Sequence, residues 1–396
     1  MALAILASHP VQYYAPFFRA IAQRFETTVF YAHRATPAQQ AAAGFGTAFD
    51  WDVDLLAGYR SLFLRNVARD PGAHHFAGCD TPEIGRRLSM ARFDALLVMG
   101  WHLKSFWQGV LAAKRGGIAV LARGDSQLGA ARSRATLAAK SAIYPLMLRA
   151  FDAALYVGQR NRAYYEHYRF PAGRLFASPH CVDTERFARD ATSTARHALR
   201  ARLGMAPDDR AALFAGRLVA FKRPADLIDA AAIVRGVGLP LHVVIAGSGP
   251  LEAVIRARAE ALRVPLHVLG FQNQTLMPAA YAAADALVLP SSERETWGLV
   301  CNEALASGTP IIVSSAVGCA PDLASDENVG RIYPCGDARA LAKALAATLC
   351  SPPPPRSIRD VSDRFAPGLA ADGVAAAMRA VARRLSGRDA RAESAQ

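Results

Sequence analysis

Short apolar runs rich in Val, Ile and Leu recur along the chain between longer Ala-rich stretches. LAILAS, TTVFYA, ALLVMG, IAVLARG and AALYVG fall before residue 159, and AALFAGR, LHVVIAG, LHVLGF, ALVLPS and PIIVSS fall between 211 and 315. Short runs bounded by Gly, Pro or charge suit buried strands and the Ala-rich intervals suit helices, so the pattern predicts the two in alternation. The alternation pauses in a charged, Ala-rich connector near 186–209 and then restarts. Two such blocks predict an α/β protein of two doubly wound, Rossmann-like domains facing across a cleft. The expected divisions are a first domain over 1–185, a linker over 186–208 and a second domain over 209–350. A return segment and helix over 351–385 begin at SPPPPR, and a disordered polar tail is expected over 386–396.

Ligands of doubly wound sheets bind beyond the carboxyl ends of the strands, which directs attention to the residues that follow each run. In the second block, Gly216 and Arg217 close AALFAGR, and Lys222 stands five residues beyond Arg217 at the entry to a helix. An Arg fork and a Lys point charge beside a helix start suit a diphosphate, though two solvated charges flanking a loop would give the same letters. Gly247 and Gly249 follow LHVVIAG, where a missing side chain admits a ligand or a neighbouring backbone. A dinucleotide fingerprint would need a third glycine where Glu252 stands, so NAD is the lesser alternative. ERETWGLVCNEALASG reads as a turn through Thr296, Trp297, Gly298 and Leu299, then a helix stopped by Gly308. Glu295 would precede that helix and Glu303 lie about two turns along it, giving amides to a phosphate and carboxylates to hydroxyls. Two acids could also be a glycosidase pair, if opposed across a bond, or Glu303 could serve only a salt bridge within its helix.

Composition narrows the classes. With 396 residues and 52% hydrophobic content the chain can fill two cores. No apolar run approaches the roughly 20 residues of a membrane span, and MALAILAS reads as a first strand rather than a signal peptide, so a cytoplasmic location is expected. Six cysteines stand far apart without a CxxC pair, and no His stands at metal-ligand spacing, which speaks against structural zinc and a disulfide scaffold. The net charge of +13 is concentrated before residue 188, which carries +9 of it. That half faces something anionic or carries a solvated basic surface. A nucleic-acid partner is not expected, because no reading module or aromatic platform accompanies the charge.

Glu295 and Glu303, with seven residues between them and EALASGTPII following, resemble the Glu-x7-Glu motif of retaining GT-B glycosyltransferases, in particular glycosyltransferase family 4. GRLVAFKR resembles that family's phosphate-binding segment, and VIAGSGPL, VLGF and AADALVLPS follow in the family's order between about residues 209 and 320. NRAYYEHYRFPAGRLFASPHCVDTERF is similar to its interdomain passage. The resemblance implies a GT-B fold and transfer of a sugar from a nucleoside-diphosphate donor with retention of configuration. It implies that Glu303 holds the ribose, that Glu295 lies by the donor sugar, and that Trp297, Gly298 and Leu299 offer amides. Arg217 and Lys222 would stabilise the departing diphosphate, and Gly270, Phe271 and Gln272 would meet the base. No metal cofactor is implied, and no nucleophile or general base stands out. An epimerase of the same architecture is an alternative that would need an acid/base set the sequence does not offer.

The first half departs from the family. SHPVQYYAPFFRAIA replaces the usual Gly-Gly loop, bringing His9, Pro10 and Gln12 to that position, and Arg123, Gly124 and Asp125 stand where many members have a sugar-contacting His. His102 in MGWHLKSFW follows a strand and is a further candidate for the cleft, or a structural histidine between two tryptophans. DWDVD, with Asp50, Asp52 and Asp54, matches a metal-binding DxD but reads better as surface or acceptor-side structure. Basic and apolar residues mix over 131–151, which could lie on an anionic membrane surface or form a core helix with a solvated edge. The expected partners are therefore a nucleotide-sugar donor, a glycan or lipid-linked acceptor and such a surface. The resemblance suggests bacterial surface polysaccharide, lipopolysaccharide or glycolipid synthesis.

Overall fold

A computed structural model describes all residues except 42–46, 130–132, 328 and 394–396, with the backbone alone over 385–393. Two parallel sheets form its centre. The first contains β1 (Ala2–Ala7), β2 (Glu26–Tyr31), β3 (Arg60–Phe63), β4 (Ala95–Val98), β5 (Ala119–Arg123), β6 (Ala153–Tyr156) and β7 (Leu175–Ala177), in the order β3-β2-β1-β4-β5-β6-β7. The second contains β8 (Arg210–Ala215), β9 (Leu241–Ala246), β10 (Leu266–Gly270), β11 (Ala286–Leu289), β12 (Ile311–Ser314) and β13 (Gly330–Tyr333), in the order β10-β9-β8-β11-β12-β13. All ten runs expected to be strands contribute one. The strands not anticipated, β3, β7 and β13, are short and lie at sheet edges with partly exposed residues, so they lack the apolar continuity of a strand covered on both faces.

Each sheet reverses its strand order beside its first strand, between β1 and β4 in one and between β8 and β11 in the other. A crevice opens beyond the strand ends at such a reversal. β1 is covered on both faces, with Leu3 to Ala7 fully buried, so the chain start that read as a strand is the middle of a sheet. Among the described residues, no helix is long and apolar enough to cross a membrane.

The stretch expected to be a linker carries two helices, Thr184–Asp190 and Ser193–Arg202, capped by Asp183 and Thr192. Arg196 donates to the carbonyls of Ala282 at 2.8 Å and Ala284 at 3.2 Å and pairs with Asp285 at 2.7 Å; Arg200 donates to Ala283 at 3.1 Å. These carbonyls end the helix Met277–Ala283, where the backbone lacks its own donors, so the arginines bind the connector to the second domain.

After Cys350 the helix Pro355–Asp363 packs on Val300–Ala306 of the second domain, and the chain then returns to the first. Its last helix, Pro367–Glu393, packs against Tyr14–Ala22, β6 and β7, placing Ala370, Ala371, Val374, Ala377 and Met378 in the first core. The helix runs through most of the stretch expected to be a disordered tail, because its Ala, Arg and Glu residues favour continuation once a helix is nucleated; residues 394–396 lie outside the described residues.

The helix Arg134–Met147 has no fully buried residue, but Tyr144 and Met147 pack against the first domain's core and Leu148 and Phe151 beyond it are buried, so the stretch has one edge on the core and one exposed face; residues 131 and 132 lie outside the described residues. Ile143 and Leu146 are 60% and 68% exposed. Lys140 turns inward, with its ammonium 4.7 Å from the centre of the Tyr144 ring and 3.4 Å from the Tyr164 hydroxyl.

Candidate functional site

The residues after β1, β5, β8, β9, β10 and β11 converge on a cavity of about 320 Å³ between the two sheets. This size suits a bound small molecule. Gly216, Arg217, Lys222, Gly247, Phe271, Gln272, Glu295, Thr296, Trp297, Gly298, Leu299 and Glu303 all border it from the second domain.

Lys222 ends a single 3-10 turn, Ala220–Lys222, ahead of the helix Pro224–Gly236, and its ammonium pairs with the Glu295 carboxylate. That carboxylate also accepts from the Ser291 hydroxyl at 3.0 Å. Lys222 is therefore a partly buried, partnered cation rather than a solvated charge. The backbone hydrogen bonds from Gly318 to Glu295 and from Cys319 to Trp297, each 3.0 Å, secure the turn. Gly298 has φ +100°, and a Cβ there would lie 2.5 Å from Leu289, so this position requires glycine. The Trp297 indole donates to Asn302 at 2.8 Å.

The helix after the turn, Val300–Ala306, is shorter than expected, and Glu303 sits in its first turn rather than two turns along. The missing length is spent on the Trp-Gly-Leu turn, which stays non-helical through Leu299. Glu303 is 6% exposed and accepts from the Tyr281 hydroxyl at 2.6 Å. Burial raises its pKa above the ordinary carboxylate range, against the opposing pull of the Tyr281 hydrogen bond and the Arg186 guanidinium. Both acids belong to the same domain, one engaged by Lys222 and the other by Tyr281.

The post-strand glycines of the second domain serve the backbone. A Cβ on Gly247 would lie 1.9 Å from the Gly216 carbonyl oxygen, and one on Gly249 would lie 2.7 Å from that of Leu218. This close approach of strands accounts for the GxG without a dinucleotide. Gly249 and Gly270 do not border the cavity; Gly270 instead bridges to Gly247 at the end of β10. Gln272 folds back, donating to the Leu269 carbonyl at 2.7 Å, and Phe271 packs against Phe49 with ring centres 4.3 Å apart.

From the first domain, Gln12 and Asp125 border the cavity, whereas His9, Pro10, His102 and Arg123 do not. His9 lies beside the Ser8 hydroxyl at 3.0 Å, and burial, then the neighbouring His33, lower its pKa to about 4. Arg123 is buried and spends its guanidinium on the carbonyls of Ser178 and Pro179, both at 3.1 Å, over the ring of Phe17. It is a structural cation where the sequence offered a cleft candidate. His102 and Arg123 border an adjacent chamber of about 140 Å³, which also meets Tyr14, Trp101, Asp125 and His180. Burial lowers the pKa of His102.

Asp125 accepts from the Thr296 hydroxyl at 2.8 Å, and Gln127 donates to the carbonyls of Glu293 and Glu295 at 2.8 and 3.1 Å, so the first domain clasps the glutamate turn directly. DWDVD makes a second clasp. Asp52 accepts from the Thr275 amide at 3.1 Å and from its hydroxyl, and the Asp50 carbonyl accepts from Asn273 at 2.8 Å. Asp54 meanwhile caps the amides of Leu56 and Ala57. Two of the three carboxylates, Asp52 and Asp54, are thus engaged in a domain contact and a turn, and Asp50 contributes its backbone carbonyl, which fits the surface-structure reading. Among the described residues one trio, Asp70, His74 and His75, brings three potential donors within 4.8 Å. It occupies a mostly exposed loop outside the cavity and was missed because its spacing is not that of a common metal motif. All six cysteines carry free thiols.

The cavity also contains Tyr13, Tyr14, Trp51 and His180, which the sequence reading left out. Tyr13 and Tyr14 follow Gln12 after β1, so strand position alone could have found them. Trp51 was hidden inside an apparent metal motif, and His180 within the passage between domains.

Residues 195–362 match the family model described as Glycosyl transferases group 1. The D-inositol 3-phosphate glycosyltransferase of Geodermatophilus obscurus is 36% identical over 205 residues, covering 48% of this chain and 43% of that protein. A GDP-mannose-dependent alpha-(1-6)-phosphatidylinositol monomannoside mannosyltransferase of Mycolicibacterium smegmatis is 30% identical over 210 residues, 51% of this chain and 54% of that one. The chain thus spans about half the length of the curated relatives it matches. Among solved structures, a glycosyltransferase of Rickettsia africae superposes with a TM-score of 0.71 at 11% identity, covering 96% of this chain and 98% of that one. HepE of Anabaena in complex with UDP gives 0.69 at 16% identity, covering 98% and 100%. The two facing α/β domains and these likenesses bear out the GT-B fold.

Proposed function

We propose that this protein, whose residues 195–362 are a glycosyl transferases group 1 domain, is a glycosyltransferase that moves a sugar from a nucleoside-diphosphate donor to a glycan or lipid-linked acceptor hydroxyl. The observation that carries the reading is the convergence of Arg217, Lys222, Glu295, Glu303 and the Trp-Gly-Leu turn in one cavity beneath the first domain. In this reading Glu303 takes the ribose hydroxyls, and Phe271 and Gln272 border the base. Arg217 and Lys222 face the diphosphate, whose charge grows as the sugar leaves, so fixed cations stabilise the transition state more than the ground state.

Retention of configuration fits a site whose described carboxylates are each engaged, Glu295 by Lys222, Glu303 by Tyr281 and Asp125 by Thr296: the acceptor approaches the face the diphosphate leaves, and the departing phosphate takes its proton. Metal independence is part of the proposal, since Arg217 and Lys222 already supply the positive charge that a metal would bring. The bacterial surface-polysaccharide, lipopolysaccharide or glycolipid setting rests on analogy of fold and motif. Cytoplasmic location at the inner face of the membrane is read from the exposed helix Arg134–Met147. Its Ile143 and Leu146, with Arg134 and Arg149 at its ends, suit an anionic lipid surface near a lipid-linked acceptor.

Calorimetric titration with UDP, GDP, ADP and NAD, with and without chelator, tests the core of this reading. We expect one nucleoside diphosphate to bind, with or without chelator, and Glu303→Gln to weaken it about 10-fold or more through lost ribose contacts. Binding of NAD alone, or of no nucleotide, would refute the reading; binding lost with chelator and restored by manganese would refute metal independence.

A further inference from the structure

Asp70, His74 and His75 lie on the loop between β3 and the helix Glu83–Ser89, outside the cavity assigned to the donor. Both imidazoles turn toward one carboxylate oxygen. Asp70 Oδ2 stands 3.3 Å from His75 Nε2 and 3.8 Å from His74 Nε2, and one donor atom from each residue falls within 4.8 Å of the other two. Ligand atoms around a tetrahedral zinc ion lie roughly 3.3 Å apart, given bonds of about 2.0–2.1 Å. The trio is therefore close to the spacing of co-ligands, and a small rotation of the exposed His74 ring completes it. A surface carboxylate gains little from one ion pair, and a second ring on the same oxygen adds ordering cost without a second charge to neutralise.

The loop is held in shape from beneath these side chains. The Gly72 amide donates to the Gly78 carbonyl at 2.9 Å and the Val67 amide to that of Asp80 at 2.8 Å. Asn66 ties the base, donating to the Gly78 carbonyl at 2.8 Å and accepting from the Asp80 amide at 2.9 Å. Asp80 is itself anchored by Lys104 at 2.6 Å and Gln108 at 2.7 Å. A Cβ on Gly78 would lie 2.2 Å from the Gly72 carbonyl oxygen, so only glycine lets the loop close here.

We propose that Asp70, His74 and His75 bind one divalent transition-metal ion of the zinc class, which staples this loop. Two imidazoles and a carboxylate suit zinc or cobalt and are poor partners for magnesium or calcium, which prefer oxygen alone. Water would fill the fourth position. His75 Nε2 also donates to the Asp70 carbonyl at 3.1 Å; the ion replaces that bond, with the ring's proton moving to Nδ1. The ion is structural and apart from the diphosphate site, so the proposal stands whether or not the nucleotide-sugar reading holds.

The test titrates cobalt and zinc ions into the full chain, free of any affinity tag, with magnesium as the control. We expect one cobalt ion per chain, with a visible absorption spectrum of nitrogen and oxygen ligands, displaced by zinc, and zinc should raise Tm by a few degrees. His75→Ala and Asp70→Asn should each weaken cobalt about 10-fold or more and abolish the rise in Tm. Both changes fall on the loop surface, so without metal the variants should melt with the wild type. Unchanged cobalt affinity in both variants, or magnesium bound as tightly as zinc, would mean an adventitious ion only and overturn the proposal. A thiolate charge-transfer band would place the ion on a cysteine and overturn it too, as would a wild type that binds neither cobalt nor zinc.

Discussion

The Lys222 ammonium meets a carboxylate in a partly enclosed cavity, where charges attract more strongly than in water but each is costly to leave alone. Lys222→Ala would remove a charge facing the leaving group and leave Glu295 with only the Ser291 hydroxyl. We expect kcat to fall about 100-fold or more with a smaller change in diphosphate affinity. Folding stability should fall by about 2–4 kcal/mol, because Glu295 loses its partner in a protected place. Steady-state kinetics and thermal unfolding check this together; wild-type kcat in a destabilised variant would remove Lys222 from the mechanism. Arg217, Lys222, Glu295 and Glu303 were legible because each follows a recognisable strand or lies in one ordered motif. His180 and Asp125 were harder to assign, because their partners, Trp297 and Thr296, are more than a hundred residues away and no local pattern encodes a contact across a cleft.

At the scale of elements, a strand covered on both faces announces itself by unbroken apolar sequence, as β1, β4 and β11 do. β3, with Arg60 exposed, and β13, with Arg331 and Ile332 outside the core, are held by pairing to a neighbour and carry no such signal. On the helix Arg134–Met147, Tyr144 and Met147 pack against the core while Leu137, Ile143 and Leu146 face solvent. Vesicles of anionic lipid should therefore co-sediment the protein at low salt more than neutral vesicles do. Ile143→Asp with Leu146→Asp should abolish the difference without lowering Tm, since neither residue is packed. Equal binding to both kinds of vesicle would end the membrane reading.

The molecule as a whole should lose stability as pH falls from about 7 toward 6. Burial lowers the pKa values of His9, His102, His180, His242 and His267. Below the ordinary histidine value, about 6.5, the unfolded chain therefore binds protons that the folded one refuses, and stability rises with pH through this window. Asp322, raised by burial to about 6, binds its proton in the folded chain within this same window and offsets part of the trend, and the raised Glu303 acts in the same opposing direction. Calorimetric Tm should thus be a few degrees lower at pH 6 than at pH 7.5, and replacing both His9 and His180 by Phe should flatten the profile; an unchanged slope would mean that neither ring resists its proton. The two-domain plan was legible from alternation alone, but the way the domains meet was not. It depends on Asp52 reaching Thr275 and Gln127 reaching Glu293, pairs that only the folded cleft brings together.

The return of the last helix to the first domain sets an order of completion during synthesis. A ribosome releases β1 to β7 before any of the second domain, yet that first core lacks Ala370, Ala371, Val374, Ala377 and Met378 until the second domain has emerged as well. The second domain has its full sheet by residue 333 and its packing helix by Asp363. The half of the protein that is made first is therefore the half that closes last, and until then an apolar groove beside Tyr14–Ala22 stays open for a chaperone or for the chain's own end.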